Sequence, residues 1–299
     1  MYEVPSGHYD DGRAGRRPRR SYPSWLPGPL TLAICVMAVV ILLAYAVLAA
    51  CDTRPSASTG TTPTVNDIKR VDPNHPFDNT PAAVWQEGAA GIQPPAATAI
   101  GRYSAETVAA AMDRAKNLIV AARLDRHVLE TYDAEPVLAL LATHQVEDIR
   151  PKLADPAASW WVTEKIAREY PLLPVSPRVD GTMTPGLNDK GELAIRTNYL
   201  IAYAFTPPKN TEYSAMDIVT VVRQEIEYDW VEDSTYDDGS QGMWIGDVKG
   251  HAYPVNCTLE KKGYLAPDYS NPPTPGAPPA HRAEYYFDPT VPIPQDSNC

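Results

Sequence analysis

The chain has 299 residues, of which 26 are basic and 37 acidic, for a net charge of −11; that length suits one sizeable domain with appendages. The charge is unevenly placed: residues 1–28 carry Arg13, Arg16, Arg17, Arg19 and Arg20 against Glu3, Asp10 and Asp11, whereas the remainder holds 21 basic and 34 acidic side chains. An acidic main body repels phosphate backbones, which excludes nucleic acid as a partner.

The first element is expected to be a membrane helix at 29–50. Leu30 to Ala50 is an uncharged run of 21 residues, and a bilayer core takes about 20 apolar residues at helical rise. Pro27 and Pro29 start it, and Trp25 stands at headgroup level. The five arginines on its N-terminal side make residues 1–28 a cytoplasmic basic tail and put residues 51–299 outside the cell membrane. The run ends in Leu48, Ala49, Ala50 and Cys51, which looks like a bacterial lipobox. A secretory leader has a short polar region and an apolar core of about 7–15 residues, so the uncleaved single span is preferred. Lipidation at Cys51 is the alternative. Either way a tether holds an outer domain at the membrane.

Residues 51–80, rich in Thr, Ser, Pro and Asp, are expected to form a disordered stalk. An α+β domain follows over 81–263. Trp85 and Ile92 are too apolar for a free linker and predict an arm packed on that domain. Ser104 is a good N-cap, with Glu106 in the first turn. Val108, Ala111, Met112, Ala115, Leu118, Ile119 and Ala122 recur at three- and four-residue steps and predict a helix over 104–123. Short helices are expected over 125–132, after Asp133 with Pro136 in the first turn, and over 143–153.

The period then changes to two. In 192–205, Leu193, Ile195, Tyr199, Ile201, Tyr203 and Phe205 share one face, with Arg196 and Asn198 on the other. In 216–230, Met216, Ile218, Val222, Ile226, Tyr228 and Trp230 oppose Asp217, Arg223, Glu225, Glu227 and Asp229. Both read as long half-buried strands. A third is expected over 242–255 and a shorter one over 178–183. Helices followed by a meander of long strands predict an α+β fold, with a helical segment packed on a curved antiparallel sheet of three to four long strands.

Residues 264–299 form a proline-rich tail that ends on Cys299, while Cys257 closes the last strand. Outside the membrane an even pair of cysteines is normally oxidised. A Cys257–Cys299 disulfide is therefore expected, and by loop-closure entropy it would contribute about 3–4 kcal/mol. It would also order the tail.

The order of elements over 104–257 resembles the nuclear-transport-factor-two-like and cystatin-like group of curved-sheet folds. A more local likeness rests on Trp85, Gly88, Gly91, Ile92, Pro95, Gly101, Tyr103, Ala121, Ala122, Leu124 and Asp125. At these positions the chain resembles a family of uncharacterised actinobacterial single-pass envelope proteins. That likeness implies location and architecture and transfers no catalytic residue.

Motifs for chemistry are sparse. His127 with Glu130 and His144 with Glu147 share helix faces, but the further glutamates of a di-iron bundle are not evident. Glu232, Asp233, Asp237 and Asp238 gather in one loop, where turn chemistry accounts for them. No Gly-x-Ser-x-Gly elbow is present. No catalytic residue, cofactor or metal site is expected. The chain reads as a non-catalytic binding or accessory domain of the cell envelope, contacting membrane lipid through one span and an envelope protein partner. The alternative is a small-molecule or enzymatic pocket in the mouth of the sheet, lined by Tyr199, Tyr203, Tyr228, Trp230 and His251.

Overall fold

The computed structural model describes residues 71–209, 212–233, 235–271, 281–296 and 298–299. The expected cytoplasmic tail, membrane helix, Cys51 and residues 51–70 of the stalk lie outside the described residues. Among the described residues no helix is long and apolar enough to cross a membrane.

The α+β reading holds. Five antiparallel strands pair in sequence order: β1 (Gln86–Glu87), β2 (Arg178–Leu187), β3 (Leu193–Ala204), β4 (Val219–Val231) and β5 (Gly242–Tyr253). Four are long, as expected. The fifth is the two-residue β1, which pairs Gln86 with Val179 and belongs to the arm. In β2, pairing with β3 continues through Leu187, beyond the expected end at residue 183.

The helices precede the long strands. α1 (Ala105–Arg123) starts where Ser104 Oγ accepts the Thr107 N–H, and it buries the predicted face from Val108 to Ala122. Each large side chain so buried stabilises the fold by about 1.5–3 kcal/mol. α2 (Arg126–Thr131) is N-capped by Asp125. α3 (Glu135–Leu138) has Asp133 Oδ1 accepting the Glu135 N–H. α4 (Thr143–Ile149) continues as a 3-10 turn, Arg150–Ala154. These helices pack on one face of the sheet, against Leu193, Ile195, Tyr199, Ile201, Tyr203, Val222, Ile226 and Tyr228.

The other face departs from the expected half-buried pattern. A second apolar cluster there joins Leu200, Ala202 and Ala204 of β3 and Val219 and Val221 of β4 with Phe77, Trp85, Tyr286 and Phe287. Chain before the helices and chain from the tail cover this end of the sheet, so these strands are buried on both faces there. Asn198 sits at the margin of the cover, its Nδ2 donating to the Pro289 carbonyl of the tail at 3.2 Å, and Arg196 is exposed beyond it. The expected stalk therefore gives way to packed chain before residue 80, because Phe77 is buried in this second cluster.

The expected strand over 216–230 is also corrected at its start. Ala215–Ile218 forms a helical turn, α5, closed by a reciprocal capping box between Ser214 and Asp217. Local capping outweighs the alternation there. Ile218 consequently enters the second cluster instead of sharing a face with Val222.

α6 (Cys257–Glu260) follows β5 and is N-capped by Asn256, whose side chain accepts from Thr258 and Leu259. Cys257 and Cys299 stand at disulfide distance, with Cα atoms 5.3 Å apart, within the normal range for a bridge. Arg223, buried in the middle of β4, holds the tail from the other side. Its guanidinium donates to the carbonyls of Pro289 at 3.2 Å and Asp288 at 3.4 Å, and also to that of Val291.

Candidate functional site

β5 is the last strand of the sheet, so one of its edges faces away from β4. Unpaired edge N–H and C=O groups need cover or solvent. The first half of β5 is covered. The Ala142 N–H donates to the Met243 carbonyl at 2.9 Å. Gln145 acts as a one-residue strand partner: its Nε2 donates to the Ile245 carbonyl at 2.7 Å and its Oε1 accepts the Ile245 N–H at 2.8 Å.

The second half differs. The register shifts between Ile226 and Tyr228, where Gly246 and Asp247 are accommodated by a bulge. Beyond it, Val248, Gly250 and Ala252 stand opposite Ile226, Gln224 and Val222. Ile245 fixes the phase: its N–H and C=O point outward, and alternate β4 positions keep that phase across the bulge. The outward backbone groups are therefore those of Val248, Gly250 and Ala252. They have no hydrogen-bond partner among the described residues.

A cavity flanks this open edge on each side. On the helix-bearing face, Trp160, Glu164, Gln224, Glu260, Tyr264 and Leu265 enclose part of a volume of about 300 Å³. Toward the tail, Val248, Lys249 and residues 292–296 line a groove of about 800 Å³. Trp160, Gly250, His251 and Glu260 border both.

The Trp160 loop is pinned from several directions. Buried Arg123 donates to the Trp161 carbonyl at 2.9 Å and the Trp160 carbonyl at 3.4 Å. Buried Lys165 donates to the Ser159 carbonyl at 3.3 Å and to its Oγ at 3.2 Å. Gly263 lies against Pro156 with φ +80°, and a Cβ there would come within 2.3 Å of the Pro156 backbone. So held, the Trp160 ring lies over Gly250, where a Cβ would meet it at 2.6 Å, yet it remains 39% exposed. A large apolar ring left open on a fixed loop is the kind of surface that binding uses.

The first cavity carries two carboxyls, Glu164 and Glu260, together with the Lys261 ammonium. Burial raises the Glu164 carboxyl above the 4.5 of a solvated glutamate, while Arg123 and Lys165 pull it down. Burial also raises the Glu260 carboxyl; Lys261 opposes this and the Glu164 charge adds to it. Burial pushes the Lys165 ammonium down to about 8. Carboxyls held in an apolar recess gain from an incoming ammonium or guanidinium, and the Trp160 and Tyr264 rings suit its apolar stem.

The five residues proposed for a pocket are not brought together. Tyr199, Tyr203 and Tyr228 fill the main core. The Tyr203 hydroxyl donates to the Arg123 carbonyl at 2.8 Å. Burial raises the Tyr199 hydroxyl to about 12. Trp230 packs at the core's margin, with Nε1 donating to Glu232 at 3.1 Å. His251, paired opposite Arg223, stacks on Tyr286 with ring centres 5.5 Å apart. Its Nε2 donates to the Asp296 carbonyl at 2.7 Å, and burial lowers its pKa. That proton is committed to holding the tail. Side chains filling a core leave no mouth to the sheet at those tyrosines.

The other polar motifs are engaged locally. Glu130 pairs with Arg126 at 2.7 Å, and His127 lies 3.4 Å from Asp133. His144 Nδ1 lies 3.2 Å from Ser240 Oγ. Asp233 pairs with Arg102 at 2.7 Å, and Asp237 caps the turn at Ser240. Sequence reasoning missed Trp160, Glu164 and Glu260. The one available signal was the tandem Trp160–Trp161 in a stretch with no helical or strand period. No protein-family model, curated protein or solved structure matches this chain.

Proposed function

We propose that this chain is a membrane-anchored, extracytoplasmic, non-catalytic binding domain of the cell envelope, and that its contact surface is the open edge of β5. The apolar run at Leu30–Ala50 and the arginines before it support the anchor and its orientation. The observation that carries the binding reading is the half-covered edge: Gln145 and Ala142 close Met243–Ile245, while Val248–Ala252 lies open between two cavities. An open strand edge is a ready template for pairing with another chain. The catalytic alternative has no comparable support, since its tyrosines fill the core.

Site-directed photo-cross-linking of the full-length protein in membranes tests both parts. A cross-linker replacing Lys249 should yield a discrete adduct with an envelope protein, and one replacing Lys190, in the β2–β3 turn, should not. Adducts of equal yield from both positions, or none from 249, would refute the reading. Protease treatment of intact cells should digest residues 81–299 and spare 1–28; protection of both would refute the topology.

A further inference from the structure

We infer that the occupant of this edge is an extended segment of a partner protein, added as a sixth strand, with a lysine or arginine side chain seated in the cavity between Trp160 and Glu260. This rests on the preceding proposal that the β5 edge is the binding surface, and it names the partner's chemistry.

Hydrogen bonding comes first. Val248, Gly250 and Ala252 present alternating donors and acceptors without partners among the described residues. An added strand can pair with them by main-chain bonds alone. Gln145 already imitates such a strand one step along the same edge, with bonds of 2.7 and 2.8 Å to Ile245. A guest extending from that point would continue the pattern.

Side-chain geometry follows. Successive residues of a strand point to opposite faces of the sheet. The two cavities lie on the two sides of the same short stretch and share Gly250 and Trp160 at their border. One guest side chain would enter the cavity with Glu164 and Glu260. Its neighbour would enter the tail-side groove against Pro292, Ile293 and Pro294. Two recesses on opposite faces, placed for successive residues, suit an extended peptide better than a compact small molecule.

Charge selects the residue type. The first cavity offers two carboxyls against one ammonium, that of Lys261, above an apolar floor of Val222, Ala252 and Leu265, with the Trp160 ring at its rim. A lysine or arginine lays its methylenes on such a floor and its charge by the carboxyls. An acidic side chain would face two carboxyls with Lys261 as the cation on the lining, and is the less favoured guest. A second copy of this chain is disfavoured because the part from residue 52 onward carries 34 acidic against 21 basic residues and repels itself.

The test uses the full-length chain in lipid nanodiscs and capped nine-residue peptides that alternate threonine and valine around one central residue. With lysine at the centre, the peptide should bind, quench tryptophan fluorescence and slow amide exchange at Val248, Gly250 and Ala252. Glutamate at the centre should weaken binding by about tenfold or more, the scale of one well-placed charge-assisted contact. Glu260→Gln should narrow that lysine preference. Val248→Pro removes one outward donor and no β4–β5 ladder bond; beside Val248→Ala, which takes a comparable loss of core packing but keeps the donor and should still bind, it should abolish peptide binding while cooperative unfolding persists in both.

Equal affinity for the lysine and glutamate peptides would overturn the inference. So would binding without slowed exchange at the three amides. Slowed exchange that grows with protein concentration and needs no peptide would assign the edge to a second copy, and also overturns it. If cross-linking from position 249 persists while the peptides fail, the inference falls alone. If both fail, the binding reading falls with it.

Discussion

Replacing Arg223 with methionine should release the tail from the sheet. The Arg223 side chain is 4% exposed and lies centrally on the covered face. Its Nε donates to Asn198 Oδ1 at 3.0 Å, and its Nη2 to Glu225 Oε1 at 3.1 Å and to the Pro289 carbonyl at 3.2 Å. Its Nη1 serves the carbonyls of Asp288 and Val291. Methionine fills much of the same volume but supplies no donor, so three tail carbonyls lose their partner. Breaking one side of a buried charged network costs about 3–5 kcal/mol. Glu225 is 33% exposed and can regain water, which places the expected loss near the lower end, about 3 kcal/mol. Urea unfolding followed by tryptophan fluorescence measures the loss. Amide exchange at Tyr286, Phe287 and Asp288 reports the release directly, because the Cys257–Cys299 pair still holds the chain end nearby. A loss below about 1 kcal/mol, the size of a single ordinary hydrogen bond, with unchanged exchange at those amides, would refute the clamp.

Gln145→Leu should cost about 2–3 kcal/mol, because two buried bonds to Ile245 are lost and its backbone groups are left without partners. Urea unfolding of this variant beside Gln145→Glu, which keeps the acceptor and loses the donor, checks it; a neutral leucine variant would count against the edge cap. Lys165 supplies a pH signature. Its folded pKa is about 8, below the 10.5 of a solvated lysine, so the unfolded chain binds more protons between those values. The Lys165 contribution should therefore rise with pH from 8 toward 10.5, recovering a penalty on the order of 3 kcal/mol that is fully present below pH 8, with the opposing contribution of the buried tyrosines entering near pH 10. Lys165→Met should flatten unfolding midpoints between pH 8 and 9, below the onset near 10 at which the tyrosines of the unfolded chain titrate and the buried ones begin to cost stability. Parallel curves for wild type and variant would refute the assignment.

Much of the fold was legible because local rules and tertiary environment agreed. Ser104 followed by apolar residues at three- and four-residue steps specifies α1, and the structure buries that same set of residues. Alternation in β3 placed Leu193, Ile195, Tyr199, Ile201 and Tyr203 on the helix-bearing face. The cysteine pair followed from number and expected compartment. At residues 215–218 the two local rules conflicted: alternation called for strand, while the Ser214–Asp217 capping box closed a helical turn.

The candidate site was almost invisible in advance, for reasons of the same kind. Trp160, Glu164 and Glu260 come from a loop and a one-turn helix with no period to read, and they meet where Gly263 packs against Pro156 and where Arg123 and Lys165 pin the Trp160 loop. Conversely, Tyr199, Tyr203, Tyr228 and His251 looked available because residue type does not reveal burial. His251 faces the tail because the period-two register puts it opposite Arg223.

By itself the sequence determined that helices precede long antiparallel strands, the phase of β3 and the pairing of Cys257 with Cys299, because each depends on near neighbours or on counting. Only the tertiary structure decided which face the tail and the arm would cover, and which half of the last strand would stay open. Those outcomes depend on contacts between segments a hundred residues apart, such as Gln145 with Ile245. A side chain's type and spacing say what it can bond to, whereas its actual partner is set by the whole chain packing at once.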